Sequence, residues 1–565
     1  MPVSVCEPSA MDSPFIPVDS WVYPAVLRLY GLGYVDSVFL GMRPWTRLSL
    51  DHLLEETEAR IEDADPGPVT DEAHAIYEAL DRELHPDTQG PCGAFQGKAR
   101  LESVYTTARA ISGTPLRDSF HLGQSIVNDY GRPYSKGFNN YTGASGYAAA
   151  GRFQVYARAE FQGSPSWAGY STDLAHVLSN VDSVTFINPV TNQPYHQATI
   201  PLGPIDTTTQ VRVLEAYASA NYWNHEISFG RQDNWLGPGL GGGMAYSNNA
   251  ENIWSFRINR AEPLRIPGLS RLTGPFRYDF IVGPLRGHTF PADPWVHAEK
   301  ISFRPTENLE FGFERTVIWG GKGHVPITIH SFLKSFFSFS GVSAEEKFSR
   351  NDPGARFGAF DFSYRLPFLR NWLTLYADGE VHDDVSPIDA PRRASWRPGL
   401  YLSHVPGVPR LDVRAEAVTT DPPITNSVGG RFMYWEVVQA QGYTNNGSLF
   451  GDWIGREGKG GQGWITYHLS GNEWIQVGVR NQKAAKDFIP GSTSQTIPGT
   501  PFLIQGGTTI NDINFQAVKR IGKDFEINGN FAYEQWKAPI YLPGKQTVTT
   551  TTIQLTWFPS RKVSF

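Results

Sequence analysis

The fold class predicted is mainly β: a large antiparallel transmembrane β-barrel of about 18 strands with a small N-terminal α-helical bundle. Three observations predict it. After residue 97 the hydropathy pattern has period two, in short runs divided by Gly, Pro, Asn and Asp clusters. The apolar parity of those runs is rich in aromatics and continues to the C-terminus with no second helical layer to cover it. Before that boundary, by contrast, apolar residues recur at helical spacing.

The elements follow in order. Residues 1–17 read as an extended tail and residues 18–97 as a small helical bundle. Trp21, Ala25 and Leu29 share one helix face, with Asp19 or Ser20 as N-cap and Gly31 and Gly33 as stops. Thr46 can cap a second helix carrying Leu50, Leu53, Leu54 and Ile61. A third begins at a Thr70 or Asp71 cap and stops before Pro86. Residues 98–565 form the barrel. "RFQVYARAEFQ" sets Phe153, Val155, Ala157, Ala159 and Phe161 against Gln154, Tyr156, Arg158 and Glu160. "ENLEFGFER" and "NWLTLYADGEVHDD" repeat the alternation, as does the ending, where Ile553, Leu555 and Trp557 oppose Thr552, Gln554 and Thr556. Pro559 and Arg561 interrupt that last strand before the terminal Phe565, so a break is expected there.

Composition narrows the function classes. A chain of 565 residues exceeds one ordinary soluble core. Mean hydropathy is −0.33 and no run approaches the roughly 18 apolar residues of a spanning helix, so strands must do any spanning. A net charge of −7, without a basic block, argues against a nucleic-acid partner held through phosphates. Cys6 and Cys92 are the only cysteines; they either form a disulfide, if the compartment is oxidising, or stand as free thiols. The start lacks the charged and apolar regions of a signal peptide, which reads as a mature or trimmed chain, or one not exported.

Several stretches carry a likeness as well as a pattern. "DSWVYPAVLRLYGLGYVDS", "RPWTR", "FGRQDNWLGPG" followed by "AYSNNAENI", and "RAEPLRIPGLSRLTGPFRYDF" resemble, in order, the Wzi family of outer-membrane capsule-assembly proteins. The resemblance implies a monomeric outer-membrane barrel with its helical bundle in the periplasm. It further implies a non-enzymatic lectin that binds capsular or exopolysaccharide, in contact with outer-membrane lipid and with no cofactor.

Candidate site residues come from the same stretches. "SFGRQDNWLGPG" leads from the apolar-parity Ile227 and Phe229 toward a rim carrying Arg231, Gln232, Asn234 and Trp235. Amides and guanidiniums beside an aromatic platform suit a sugar; the alternative is a turn that locks a plug to the wall. Arg257, Asp378, Glu380 and Arg414 fall on the lumen parity. They could line a path for an acidic polysaccharide or pair across strands and brace the barrel. Arg43, Trp45 and Arg47 are expected to dock the helical bundle at the barrel mouth. "GPGLGG", Gly237–Gly242, matches a dinucleotide fingerprint, but no helix opens after it, so it reads as a glycine turn or strand bend at the rim. His382, Asp383 and Asp384 are contiguous on a strand, and three such residues do not readily converge on one ion, so no metal site is read there. The reading is a polysaccharide-binding barrel, with a substrate-selective porin as the alternative and a barrel hydrolase behind it.

Overall fold

A computed structural model describes residues 13–84, 97–184, 186, 187, 192, 199–289, 291–382, 393–422, 433–485, 507–559 and 562–564. Cys6, Cys92, Asp383 and Asp384 lie outside them. Eighteen long antiparallel strands close one barrel. In chain order they are β1 (Gly97–Ser112), β2 (Gly137–Ala150), β3 (Phe153–Ser164), β4 (Thr208–Tyr222), β5 (His225–Arg231) and β6 (Trp254–Arg260). Then come β7 (Phe276–Pro284), β8 (Trp295–Thr306), β9 (Leu309–Trp319), β10 (Ala355–Arg365), β11 (Leu373–His382) and β12 (Ser395–Leu402). The last six are β13 (Leu411–Thr419), β14 (Lys459–Ser470), β15 (Glu473–Ala484), β16 (Thr508–Ile521), β17 (Phe525–Ala538) and β18 (Leu542–Trp557).

Strand β1 closes the ring by pairing with both β2 and β18. The break expected at the end is present: β18 stops at Trp557, and a short piece, Lys562–Ser564, resumes the pairing against Lys98–Arg100. Proline has no amide to donate to a ladder, which is why pairing lapses around Pro559.

The alternation sorts the wall into two faces. Phe153, Val155 and Phe161, Phe229, Ile301 and Phe313, Ile465, Val479, Phe515, Ile553 and Leu555 all stand outward, each at least 43 % exposed. Such a continuous apolar belt around a closed barrel is what lipid solvates. Inward, Gln154, Arg158 and Glu160 on β3, or Glu310 and Glu314 on β9, are buried. They are buried because the lumen is filled.

Two sets of chain fill it. From one end comes the bundle of α1 (Val22–Leu32), α2 (Arg47–Glu62) and α3 (Pro68–Leu84). Ser20 Oγ accepts from the Val22 amide, but Asp19 caps nothing; its carboxylate takes both terminal nitrogens of Arg158 instead. Gly33, at φ 89°, ends α1 in the left-handed conformation that glycine adopts without strain. Gly31 is no stop but lies inside α1, where a Cβ would sit 2.8 Å from the Tyr401 ring. Thr46 caps α2, its Oγ1 accepting from the Ser49 amide at 3.1 Å. Helix α3 starts at Pro68, ahead of the expected Thr70 or Asp71, because proline suits a first helical turn.

From the other end, residues 113–136, 232–253 and 433–458 fold inward. Met244, Tyr434, Tyr443, Phe450 and Trp453 make their shared apolar core. The helix α4 (Thr172–Val181) packs over Leu122 and Ala485 beside it. The connections are asymmetric: β2–β3, β4–β5, β8–β9 and β14–β15 are joined by two-residue turns at the bundle end, whereas every connection of more than about 20 residues leaves from the opposite end.

Candidate functional site

The glycine run between β5 and β6 shows how the lumen is closed. It is not at the rim. The Leu240 amide donates to Glu416 Oε1 at 3.0 Å and the Gly241 amide to Glu416 Oε2 at 3.2 Å, while the Gly241 carbonyl accepts from Trp453 Nε1 and Asn128 Nδ2. A Cβ on Gly241 would lie 2.2 Å from Gln462 Oε1, so only glycine lets this backbone reach the wall. Behind it, the fully buried Arg397 binds Asp452 through Nε and Nη2 at 2.6 and 2.8 Å, and Glu416 through Nη1 at 2.7 Å. Paired in this way, the three buried charges satisfy one another through charge-assisted hydrogen bonds.

The residues singled out in the sequence are drawn into this packing. Gln232 is fully buried, accepting from Ser228 Oγ at 2.7 Å and donating to the Ser255 carbonyl at 3.3 Å. Asn234 Nδ2 donates to the Gln232 carbonyl. The Trp235 ring is 4 % exposed, its Nε1 donating to the Gly239 carbonyl at 3.1 Å with the Arg43 guanidinium 5.6 Å from its centre. Arg257 is fully buried, paired with Asp279 and donating to the Asp233 carbonyl at 2.9 Å. The chain turns inward after Arg231, so three of the four residues read as rim residues, Gln232, Asn234 and Trp235, are inside the lumen, and Arg257 faces it from the wall as its parity predicted. Asp378 and Glu380 are buried too, Asp378 accepting from the Met244 amide at 2.7 Å, and Arg414 lies against the Tyr401 ring. Arg414 also borders a cavity of about 240 Å³ with Asp412, Trp464 and His468.

Of the three residues expected to dock the bundle, Arg43 and Arg47 reach the filling and the wall, whereas the hydrogen bonds of Trp45 stay within the N-terminal unit. Arg43 donates to the Pro238 and Gly239 carbonyls, Arg47 pairs with Glu83 of α3 and Glu102 of β1, and Trp45 Nε1 donates to the Phe39 carbonyl. Against the bundle lies a cavity of about 640 Å³, bordered by Trp21, Arg47, Glu102, Arg132, Trp235 and Trp474 among others. His382 stacks on Phe357, 4.4 Å between ring centres.

Arg231 alone of the four reaches the surface region at the long-excursion end. A polar pocket of about 220 Å³ opens there between Gln210 and Arg212 of β4, Gly131, Glu251, Asn445, Asn446 and Ser448. Glu251 is its centre. Arg231 Nη2 reaches Glu251 Oε2 at 2.9 Å, Arg212 Nε lies at 4.0 Å, and Asn446 Nδ2 donates to Oε1. Arg212 also donates to the Gly131 and Tyr130 carbonyls, and Asn445 Nδ2 to the Glu251 carbonyl at 3.1 Å. Arg212 and Glu251 line the pocket and Arg231 backs Glu251 from outside the lining, so two guanidiniums meet one carboxylate, and the amides of Gln210 and Asn446 are exposed beside them. Sequence reading missed Gln210, Arg212, Glu251, Asn445 and Asn446 because three separate segments supply them; the Asn445-Asn446 pair, inside a loop, is the one local signal.

The class is thus a closed membrane barrel whose lumen is occupied by its own chain, with a polar pocket at one mouth. A family model described as capsule assembly protein Wzi matches residues 107–551, and the chain belongs to that family. A protein from the cps region of Klebsiella pneumoniae, described as an uncharacterized 55.8 kDa protein, is 27 % identical over 172 residues, which is 30 % of this chain and 33 % of that one. The match thus spans about a third of that relative's length. Among solved structures, Wzi of Escherichia coli is similar at 16 % identity with a TM-score of 0.65, covering 96 % of this chain and 99 % of that one. It is described as an outer membrane protein involved in group 1 capsule assembly and a carbohydrate-binding β-barrel. OccK5 of Pseudomonas aeruginosa is 8 % identical at a TM-score of 0.38, covering 83 % and 98 %, a likeness too loose to carry an argument.

Proposed function

We propose that the protein is an outer-membrane barrel that binds capsular or exopolysaccharide at the cell surface and aids its attachment or assembly, without a chemical step. The filled lumen carries this reading. A porin needs a continuous aqueous path, whereas here Glu416, Arg397 and Asp452 seal the glycine run to the wall. Family membership and the carbohydrate binding described for the Escherichia coli protein supply the ligand class. Outer-membrane barrels put short turns in the periplasm and long loops outside, which supports a periplasmic bundle and a cell-surface position for the pocket of Arg212 and Glu251. The Arg212 guanidinium suits an acidic sugar, and the exposed amides beside it suit ring hydroxyls. Gln232, Asn234, Trp235 and Arg257 then serve as the frame beneath the site. The protein works as a monomer in this reading.

The test is titration of the detergent-purified protein with polysaccharide from its own host. Saturable binding without depolymerisation is expected, weakened roughly tenfold or more by Arg212→Ala, in line with the 1.5–3 kcal/mol typical of a charge-assisted hydrogen bond. Binding lost in Trp235→Ala but kept in Arg212→Ala would move the site to the cavity beside the bundle. No binding, together with stepwise conductance in a planar bilayer, would replace the reading with a porin.

A further inference from the structure

The outward parity of β8, β9 and β10 contains an anomaly near the long-excursion end. His297 and Glu299 on β8, Arg315 on β9 and Arg356 on β10 share the face that elsewhere carries Ile301 and Phe313. Polar and charged groups on a lipid face are costly. His297, Arg315 and Arg356 are covered. The excursion between β9 and β10 folds back over the outside of the wall as the helix α5 (Ile329–Phe336) and the strap after it. Ser335 Oγ lies 2.9 Å from His297 Nε2. Arg315 donates to the carbonyls of Ser335, Phe336 and Ser338, and Arg356 to Ser338 Oγ and the Ser340 carbonyl. Phe332 and Phe336 pack on Phe280 of β7, at 6.1 and 6.2 Å, completing the seal.

The polarity of α5 is the reverse of that of a helix on a water-soluble surface. Its buried positions are Ser331 and Ser335. Ile329, Leu333 and Phe337, spaced four apart on one stripe, are 80 %, 45 % and 64 % exposed, and Phe339 beyond them is 64 % exposed. The stripe continues the belt formed by Ile301 (44 %) and Phe313 (53 %) on the strands beneath it. We infer that α5 and its strap are a lipid-facing patch: they hide the polar wall residues His297, Arg315 and Arg356 and present Ile329, Leu333, Phe337 and Phe339 to the acyl chains of the leaflet on the long-excursion side. Continuity with the belt selects lipid as the occupant, and helices of this kind lie about 5–10 Å into the acyl boundary. The consequence is an anchor that fixes barrel depth on the side where the polar pocket opens.

The inference rests on the membrane location of the barrel, and the test separates the two. With Cys6 and Cys92 replaced by serine, an environment-sensitive fluorophore is placed singly by Phe337→Cys, Leu333→Cys, Ile301→Cys in the belt, and Glu55→Cys on the bundle. The proteins are reconstituted in vesicles containing brominated lipids, after checking folding by heat-modifiable gel migration. Labels at 337 and 333 should be quenched at least half as strongly as the label at 301, more by bromines near the glycerol end than near the chain end, and stay shielded from aqueous iodide. The label at 55 should show the opposite. Quenching at 301 with iodide-accessible, bromine-silent labels at 337 and 333 would overturn the inference and leave the barrel in its membrane. Silence at 301 as well would overturn both.

Discussion

Raising the pH should loosen one specific corner of the lumen filling. His121, in the chain between β1 and β2, is completely buried, with Nδ1 3.1 Å from Asp118 and Nε2 2.7 Å from Asp182 just beyond α4. Asp182 also takes Arg456 Nη1 at 2.6 Å, and its carbonyl accepts from Trp435 Nε1, so three inward segments meet on this one imidazole. Burial alone would push the His121 pKa down, but the two carboxylates overcome it and hold it at about 9. A group raised above its unfolded value, about 6.5, contributes stability that is fully present below that value and is lost as pH climbs through the folded one. The gap corresponds to on the order of 3 kcal/mol, or roughly a hundredfold in a local opening equilibrium. Hydrogen exchange of the amides Leu174–Val181, corrected for intrinsic rates, should lose about that much protection between pH 6.5 and pH 10, while β16 and β17 keep theirs. In His121→Gln the loss should already be present at pH 6.5 and the pH dependence gone. Unchanged protection across the range, or an equal fall in the variant, would refute the assignment of a charged imidazole.

Two other perturbations probe the seal. Arg397→Ala leaves Glu416 and Asp452 buried against one another and should cost about 3–5 kcal/mol, read as a lower temperature for the heat-modifiable shift on a gel. Gly241→Ala puts a Cβ within 2.6 Å of Glu416 Oε2 and must displace the glycine run; a protein silent in a planar bilayer should then gain measurable conductance.

The wall was legible because lipid imposes its rule at every second residue. Phe153 to Phe161, Leu309 to Phe313 and Ile553 to Trp557 had to alternate wherever they fell in the barrel, and the break before Phe565 followed from one proline. The inside obeys no such rule. Arg231 to Gly237 reads the same whether the chain turns out to a rim or back into the lumen, because both routes use Gly, Asn and Asp. What separates them is Gly239, Gly241 and Gly242, whose Cβ positions lie within 2.7 Å of neighbouring atoms; a dense glycine run signals close backbone approach, not exposure. The pocket was less legible still, since Arg212, Glu251 and Asn446 meet only through the closure of the barrel. The outward charges Arg315 and Arg356 break the wall's own rule, and each break is matched by a covering excursion.

The filled lumen also explains how a pocket made of long side chains can be stiff enough to bind. The Arg212 guanidinium is held by the Tyr130 carbonyl, and the Tyr130 hydroxyl donates to Asp233 Oδ2 at 2.9 Å. The same carboxylate oxygen accepts from the Val18 amide at 2.8 Å, at the entry to the helical bundle. One residue later, Asp19 takes Arg158 of the wall. Two side chains therefore connect the pocket floor to the bundle, and both are buried. Flexible arginines lose much rotamer freedom when they close on a ligand, and that loss is subtracted from affinity. Here Arg212 and Arg231 are already held by backbone carbonyls and by Glu251. Folding has already met most of the ordering cost, so a polymer needs only modest contacts per sugar to be retained, repeated along its length.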